Sequence, residues 1–215
     1  MNINRFKDAD FMQIPPMDIL FVGLGGIGFG TAKRLLDCQQ KLTIFEPDTV
    51  SEHNCIPQGF TRNQIGQTKF KCLEDYLKGF VGNNAQIEYY IGKYQNDSIA
   101  YPIMVSAVDN YETRKIMFHN WKQQEDRELF VDGRLLAEFF QVFAITPENE
   151  DWYETNFLNG TIDDNDGVAC TYQQTSFVAS IIHGVITQKI LNYGTGKPFS
   201  RFTEYNGIID SFRSE

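Results

Sequence analysis

Three observations predict an α/β fold with a mostly parallel central sheet, flanking helices and an antiparallel C-terminal extension. The apolar run Ile19-Leu20-Phe21 leads straight into Val22-Gly23-Leu24-Gly25-Gly26-Ile27-Gly28, a strand feeding a glycine-rich turn that opens a helix. Strand-like and helix-like stretches then alternate along the chain, the pattern of parallel strands joined by helical crossovers. An acidic residue, Glu46, ends the second strand at the distance from the turn, roughly 20 residues, that makes the domain Rossmann-like.

The elements follow in order. Residues 1–17 are polar, end in Pro15-Pro16 and read as an extended arm; residues 18–215 read as one domain. Strands are expected at 18–23 and 42–45, with a helix at 26–38 between them and a polar loop at 49–65 after them. A helix at 67–79 puts Phe70, Leu73, Tyr76 and Leu77 on one face. Residues 86–91 alternate like a strand, and 103–108 form an apolar strand ending at Asp109. A helix at 111–124 and strands at 128–132 and 137–145 come next. A crossover loop at 147–170 carries Glu148, Glu150, Asp151, Glu154, Asp163, Asp164 and Asp166, a run that reads as solvated. A helix at 173–193 and a closing strand at 201–209 end the chain.

Composition narrows the function. Of 215 residues, 42% are apolar and 18 are Phe, ample for a packed core. The net charge is −9 and no dense Lys/Arg block occurs, which argues against nucleic acid and anionic membranes as partners. Cys38, Cys55, Cys72 and Cys170 show no CxxC spacing, so no structural zinc is expected. Without a signal-peptide pattern or a membrane-length apolar run, the chain reads as a cytoplasmic protein with reduced thiols.

The glycine turn points to a nucleotide. Gly23 allows the tight turn, Gly25 and Gly26 let phosphates approach backbone N–H groups at a helix N-terminus, and Gly28 lets the helix pack on the strand. Glu46, with Asp48 close behind, fits a ribose contact. More is present than a nicotinamide site needs. Asp48-Thr49-Val50-Ser51-Glu52-His53-Asn54 is followed by Gln58 and by Ile65-Gly66-Gln67-Thr68-Lys69. Then come Val108-Asp109-Asn110-Tyr111-Glu112-Thr113-Arg114 and Phe130-Val131-Asp132-Gly133-Arg134.

This series, in this order, resembles the ThiF/MoeB family, the adenylating domain shared with ubiquitin-activating enzymes. The resemblance covers roughly residues 18–145. It implies activation of the C-terminal carboxylate of a ubiquitin-like or sulfur-carrier protein by ATP and Mg2+, with loss of pyrophosphate. It further implies that Asp109 is the magnesium ligand and Lys69 the cation on the phosphates. Asn54 and Gln58 would hold phosphate and loop, and Asn110 would join the nucleotide contacts. Arg114 is expected to brace the site through an ion pair. The chain departs from the family where Pro57 stands in place of an Arg; Arg62, four residues past Gln58, is the candidate substitute. Arg5 is the one candidate for an arginine donated across a dimer.

Cys170, just before the last helix, has two readings: an acyl-accepting nucleophile or a partly buried small residue. Cys55 is a weaker candidate, and His53, His119 and His183 lack partners at informative spacing. Phe177, Val178, Ile181, Ile182, Val185 and Ile186 exceed what one helix face needs, which predicts a homodimer through the last helix. The competing functions are a non-catalytic partner of the same fold and a nicotinamide-dependent oxidoreductase.

Overall fold

The computed structural model describes residues 9–55, 57–80, 86–159 and 176–215. In chain order the elements are α1 (Asp10–Gln13), β1 (Asp18–Val22), α2 (Gly28–Asp37), β2 (Lys41–Phe45), α3 (Lys69–Phe80), β3 (Ile87–Tyr90), β4 (Ile103–Ser106) and α4 (Tyr111–Lys122). They continue with β5 (Leu129–Leu136), β6 (Phe139–Ile145), α5 (Glu150–Tyr153), α6 (Ser176–Gly194), β7 (Phe202–Asn206) and β8 (Ser211–Ser214).

Among the described residues the strands form one sheet in the order β3-β2-β1-β4-β5-β6-β7-β8. β3, β2, β1, β4 and β5 are parallel; β6, β7 and β8 add antiparallel strands. Strand order reverses between β1 and β4, and in such sheets ligands sit outside the strand ends at that switch point.

Side-chain alternation builds two cores. Ile19, Phe21, Val105, Val131 and Val142 face one layer with α2, α3 and α6. Leu20, Val22, Met104, Phe130 and Phe143 face the other, with Met117, Phe118 and Trp121 of α4. Strands buried on both faces read as continuous apolar runs, which is why β1, β4 and β5 are legible in sequence.

Several expected boundaries shift. β4 stops at Ser106, because the Ala107 carbonyl turns against Gly23 and the chain leaves the ladder. β5 extends past residue 132 because Gly133–Leu136 pair with Val142–Phe139, and the expected strand at 137 begins instead after a two-residue hairpin turn in which Ala137 has φ 52°. β8 was not expected: Ser211–Ser214 lies on the outer edge with every residue exposed, so no apolar alternation marks it. The arm is not wholly extended, since α1 forms within it and Lys197 pairs with Asp10 at 2.6 Å.

The acidic crossover is not simply solvated. Its first part folds as α5 and a π-helical turn at Glu154–Leu158. Tyr153 is fully buried against Phe118, Phe130 and Phe143, and Glu150, Asp151 and Glu154 pair with Arg127 and Lys122. Asp163, Asp164, Asp166 and Cys170 lie outside the described residues. The apolar residues of α6 divide between core and surface. Val178, Ile182 and Ile186 are buried in the sheet layer, Ile181 and Val185 pack against it, and Phe177 stays 60% exposed.

Lys189 of α6 is buried, and its ammonium donates to the carbonyl and hydroxyl oxygens of Ser200. Burial pushes its pKa down to about 8. The unfolded chain therefore binds this proton more tightly, so the penalty on folding is full below pH 8 and fades toward the unfolded value of about 10.4. Lys189→Met should be roughly 1–2 kcal/mol more stable than wild type at pH 7, after the lost hydrogen bonds are set against the removed charge. Urea melts at pH 7 and pH 10 should show that gap closing as pH rises.

Candidate functional site

The exits of β1, β2 and β4 meet at one point. Gly23 adopts φ 93°, open to glycine at little cost, and its N–H donates to the Phe45 carbonyl at 3.0 Å. A Cβ on Gly23 would stand 2.7 Å from the Ala107 oxygen, and one on Gly28 would overlap the Gly23 carbonyl. Gly25 has no atom within 4 Å of its missing Cβ, so the turn is open on that side. Leu24 and Ile27 of the turn are buried in the core layer that holds α2 and α6.

Glu46 organises this turn. Its carboxylate is buried, accepts from the Leu24 N–H and, at 2.9 Å, from the Asp48 N–H, and lies 3.6 Å from the Lys69 ammonium. Burial raises its pKa even though Lys69 and the two N–H donors favour the charged form. Both oxygens are thus engaged within the chain. Asp48, by contrast, has a side chain 63% exposed and meets Lys69 at 3.2 Å. Lys69 opens α3, and its N–H donates to the Asp48 carbonyl. The link from β2 to α3 is tied by Val50 N–H to Gln67 and Gly66 N–H to Val50.

Within that link Asn54 is buried and caps a 3-10 turn at Glu52–Asn54, accepting from the N–H and hydroxyl of Ser51. The Gln58 N–H donates to the Asn54 carbonyl, while the Gln58 side-chain oxygen is buried with no hydrogen-bond partner among the described residues. Arg62 is exposed in a second 3-10 turn, Arg62–Gln64. Pro57 is half-buried. Arg5 and Cys170 lie outside the described residues.

On the other side of the switch point, Asp109 is exposed and Asn110 caps α4 by accepting from the Thr113 N–H at 2.8 Å. Arg114, one turn into α4, donates to the Val108 carbonyl at 2.9 Å and to Asp132 at 2.7 Å. The expected bracing ion pair is thus present, and its partner is identified. Asp132 is fully buried at the end of the parallel ladder, and Arg134 and the Tyr153 hydroxyl also donate to it. Burial disfavours its charge, but the Arg114 and Arg134 guanidiniums outweigh burial and hold its pKa below the usual carboxylate range. Sequence reading quoted Asp132 without a role; an acid ending a parallel strand was the available signal. Tyr153 and His183 gave none, because their partners lie on other elements.

Among the described residues, no three His, Cys, Asp or Glu side chains gather into a metal site. No helix among them is long and apolar enough to cross a membrane.

Breaking the Asp132 cluster leaves two buried guanidiniums uncompensated. Asp132→Asn should lose about 3–5 kcal/mol, read as a lower guanidinium chloride midpoint. Because the folded-state pKa is depressed, this stabilisation is complete above the unfolded aspartate value of about 3.9 and is lost as pH falls through the lower folded value. The variant's melting temperature should accordingly depend less on pH in that acid range than the wild type's.

The comparisons agree with this architecture. Ubiquitin-like modifier-activating enzyme 5 of Culex quinquefasciatus is 28% identical over 236 residues, spanning 94% of this chain and 57% of that protein. The Gallus gallus protein of the same name is 25% identical over 232 residues, with the same coverage. The chain thus spans a little over half the length of these relatives. E. coli MccB solved with ATP superposes with a TM-score of 0.72 at 12% identity, over 96% of this chain and 64% of that one. PaaA superposes with a TM-score of 0.68 at 16% identity, over 96% of this chain and 64% of that one. These two likenesses establish the fold. The ThiF family pattern matches residues 1–214, and the chain belongs to the ThiF family.

Proposed function

We propose that this chain is an ATP-dependent adenylating enzyme acting on the C-terminal carboxylate of a ubiquitin-like or sulfur-carrier protein. The observation that carries the reading is the switch point itself. There an open glycine turn, Asp48 with its partner Lys69 of α3, and the exposed Asp109 stand where the exits of β1, β2 and β4 are tied by Gly23 N–H to Phe45 and Ala107 N–H to Val22. MccB, a neighbour in fold, has been solved both with ATP and with MccA.

In this reading the phosphates lie over Gly25 and Gly26, where N–H groups of the turn and the α2 dipole favour negative charge. Asp48 receives the ribose, because Glu46 is committed to the Leu24 and Asp48 amides. Lys69 supplies positive charge beside the phosphates, and Gln58 can donate its side-chain N–H groups toward them. The substrate carboxylate oxygen attacks the α-phosphorus; the bond to the β-phosphate bridging oxygen breaks, and pyrophosphate leaves with that electron pair. The protein's part is to align the two oxygens and balance the charge.

Asp109 fits a magnesium ion: it is an exposed carboxylate at the β4 exit, and magnesium in nucleotide sites takes one or two carboxylates, phosphate oxygens and waters. Bound there, the ion would neutralise phosphate charge. Arg114, gripping both the Val108 carbonyl and Asp132, holds the backbone next to Asp109. Arg62, exposed near Gln58 in sequence, is the residue proposed to replace the arginine missing at Pro57. A homodimer is proposed for the assembly.

ATP–pyrophosphate exchange with a carrier ending in Gly-Gly tests this reading. Lys69→Ala should lose about 3 kcal/mol of transition-state stabilisation, on the order of a hundredfold in rate. Asp109→Ala should abolish exchange while the circular dichroism spectrum is unchanged. Loss of less than threefold in Lys69→Ala would favour the non-catalytic alternative, and tight nicotinamide binding by wild type would favour the oxidoreductase.

A further inference from the structure

α6 passes behind the glycine turn, and one of its side chains reaches the turn. His183 Nε2 lies 2.6 Å from the Gly26 carbonyl oxygen. A carbonyl oxygen only accepts, so Nε2 carries a proton and donates. Burial holds the ring's pKa below the usual histidine range, with the Lys33 and Arg34 charges acting in the same direction. The ring also presses on α2. A Cβ on Gly30 would overlap the imidazole, so only glycine there lets the ring come this close. Two independent contacts, with Gly26 and with Gly30, thus fix the ring between α6 and the start of α2.

The consequence follows from peptide geometry. In a trans peptide the carbonyl and the next N–H point in opposite directions. Holding the Gly26 oxygen toward α6 turns the Ile27 N–H away from α6. Ile27 is the N-cap residue of α2, with φ −81° and ψ −49°, so this N–H is among the free donors of the helix N-terminus. We propose that His183 is a positioning residue of the nucleotide site, locking the Gly26–Ile27 peptide so that the Ile27 N–H faces the phosphates of a bound nucleoside triphosphate. The inference rests on the reading of the turn as an ATP site. It assigns a function to a histidine 157 residues away in sequence, whose ring reaches only a backbone oxygen of the turn.

Two variants separate donor from bulk. His183→Phe keeps a ring and removes the donor. His183→Gln puts an amide N–H as many bonds from Cα as Nε2. ATP affinity by calorimetry should fall about tenfold in His183→Phe, the loss of one oriented hydrogen bond to a charged group. His183→Gln should recover most of it, and the NMR order parameter of the Ile27 N–H should fall in the Phe variant only. Wild-type affinity in His183→Phe would overturn the proposal, as would equal weakening in both variants with an unchanged Ile27 amide. If His183→Phe does not fold, His183→Asn takes its place. Its amide is one bond too short, so it should bind ATP about tenfold more weakly than His183→Gln, and equal affinity would overturn the proposal. Should wild type not bind ATP at all, the ATP reading fails by itself. The Ile27 order parameter then decides the positioning role: a lower value without the donor supports it, and an unchanged value overturns it.

Discussion

The carboxyl edge of the sheet depends on one close approach. β1 leaves the ladder at Gly23, where the Ala107 carbonyl occupies the space a side chain would need, and α2 begins at Gly28, pressed on the Gly23 carbonyl. Three strand ends are drawn together by Gly23 N–H to Phe45 and Ala107 N–H to Val22. A Cβ at either glycine would have to push backbone, which yields far less readily than the far end of a flexible side chain. The turn, the β2 exit with Glu46 and Asp48, and the β4 exit with Asp109 are therefore held in one fixed arrangement.

Two buried carboxylates fasten that arrangement, and they differ in charge balance. Among the described residues Glu46 pairs with one cation, Lys69, at 3.6 Å, and burial prevails, raising its pKa. Asp132 has two guanidiniums, each at 2.7 Å, and their attraction prevails over burial. Glu46 ties down backbone N–H groups of the turn, while Asp132 works through Arg114 on the Val108 carbonyl. Each fastener thus sets the backbone beside a proposed ligand contact. The total charge of −9 does not oppose a phosphate site, because binding depends on the local field, and beside the turn Glu46 and Asp132 face cations.

Much of this was legible because the signals are local. β1, β4 and β5 are buried on both faces and so appear as apolar runs, and the glycine turn is contiguous in sequence. The bracing role of Arg114 was expected from the family resemblance and its place on the helix that follows Asp109-Asn110. β8, α1 and α5 were not legible. β8 is an exposed edge, α1 is a single turn with Asp10 paired to Lys197, and α5 is nucleated by Tyr153 sinking among Phe118, Phe130 and Phe143. Such elements take their stability from partners distant in sequence, which propensity does not record.

By itself the sequence determined the α/β class, the order of the parallel strands' signals, the glycine turn and the residue types gathered around it. These rest on periodicity and on glycine's lack of a side chain, both of which are properties of short stretches. Only the tertiary structure decided how those residues divide the work. Glu46 and Asp48 are two residues apart, yet one is buried under the turn and the other faces solvent, because the chain turns outward between them. Likewise Asp132 becomes the partner of Arg114, and His183 of Gly26, only when crossovers bring separate strands and helices together. Spacing along the chain carries no record of such distances.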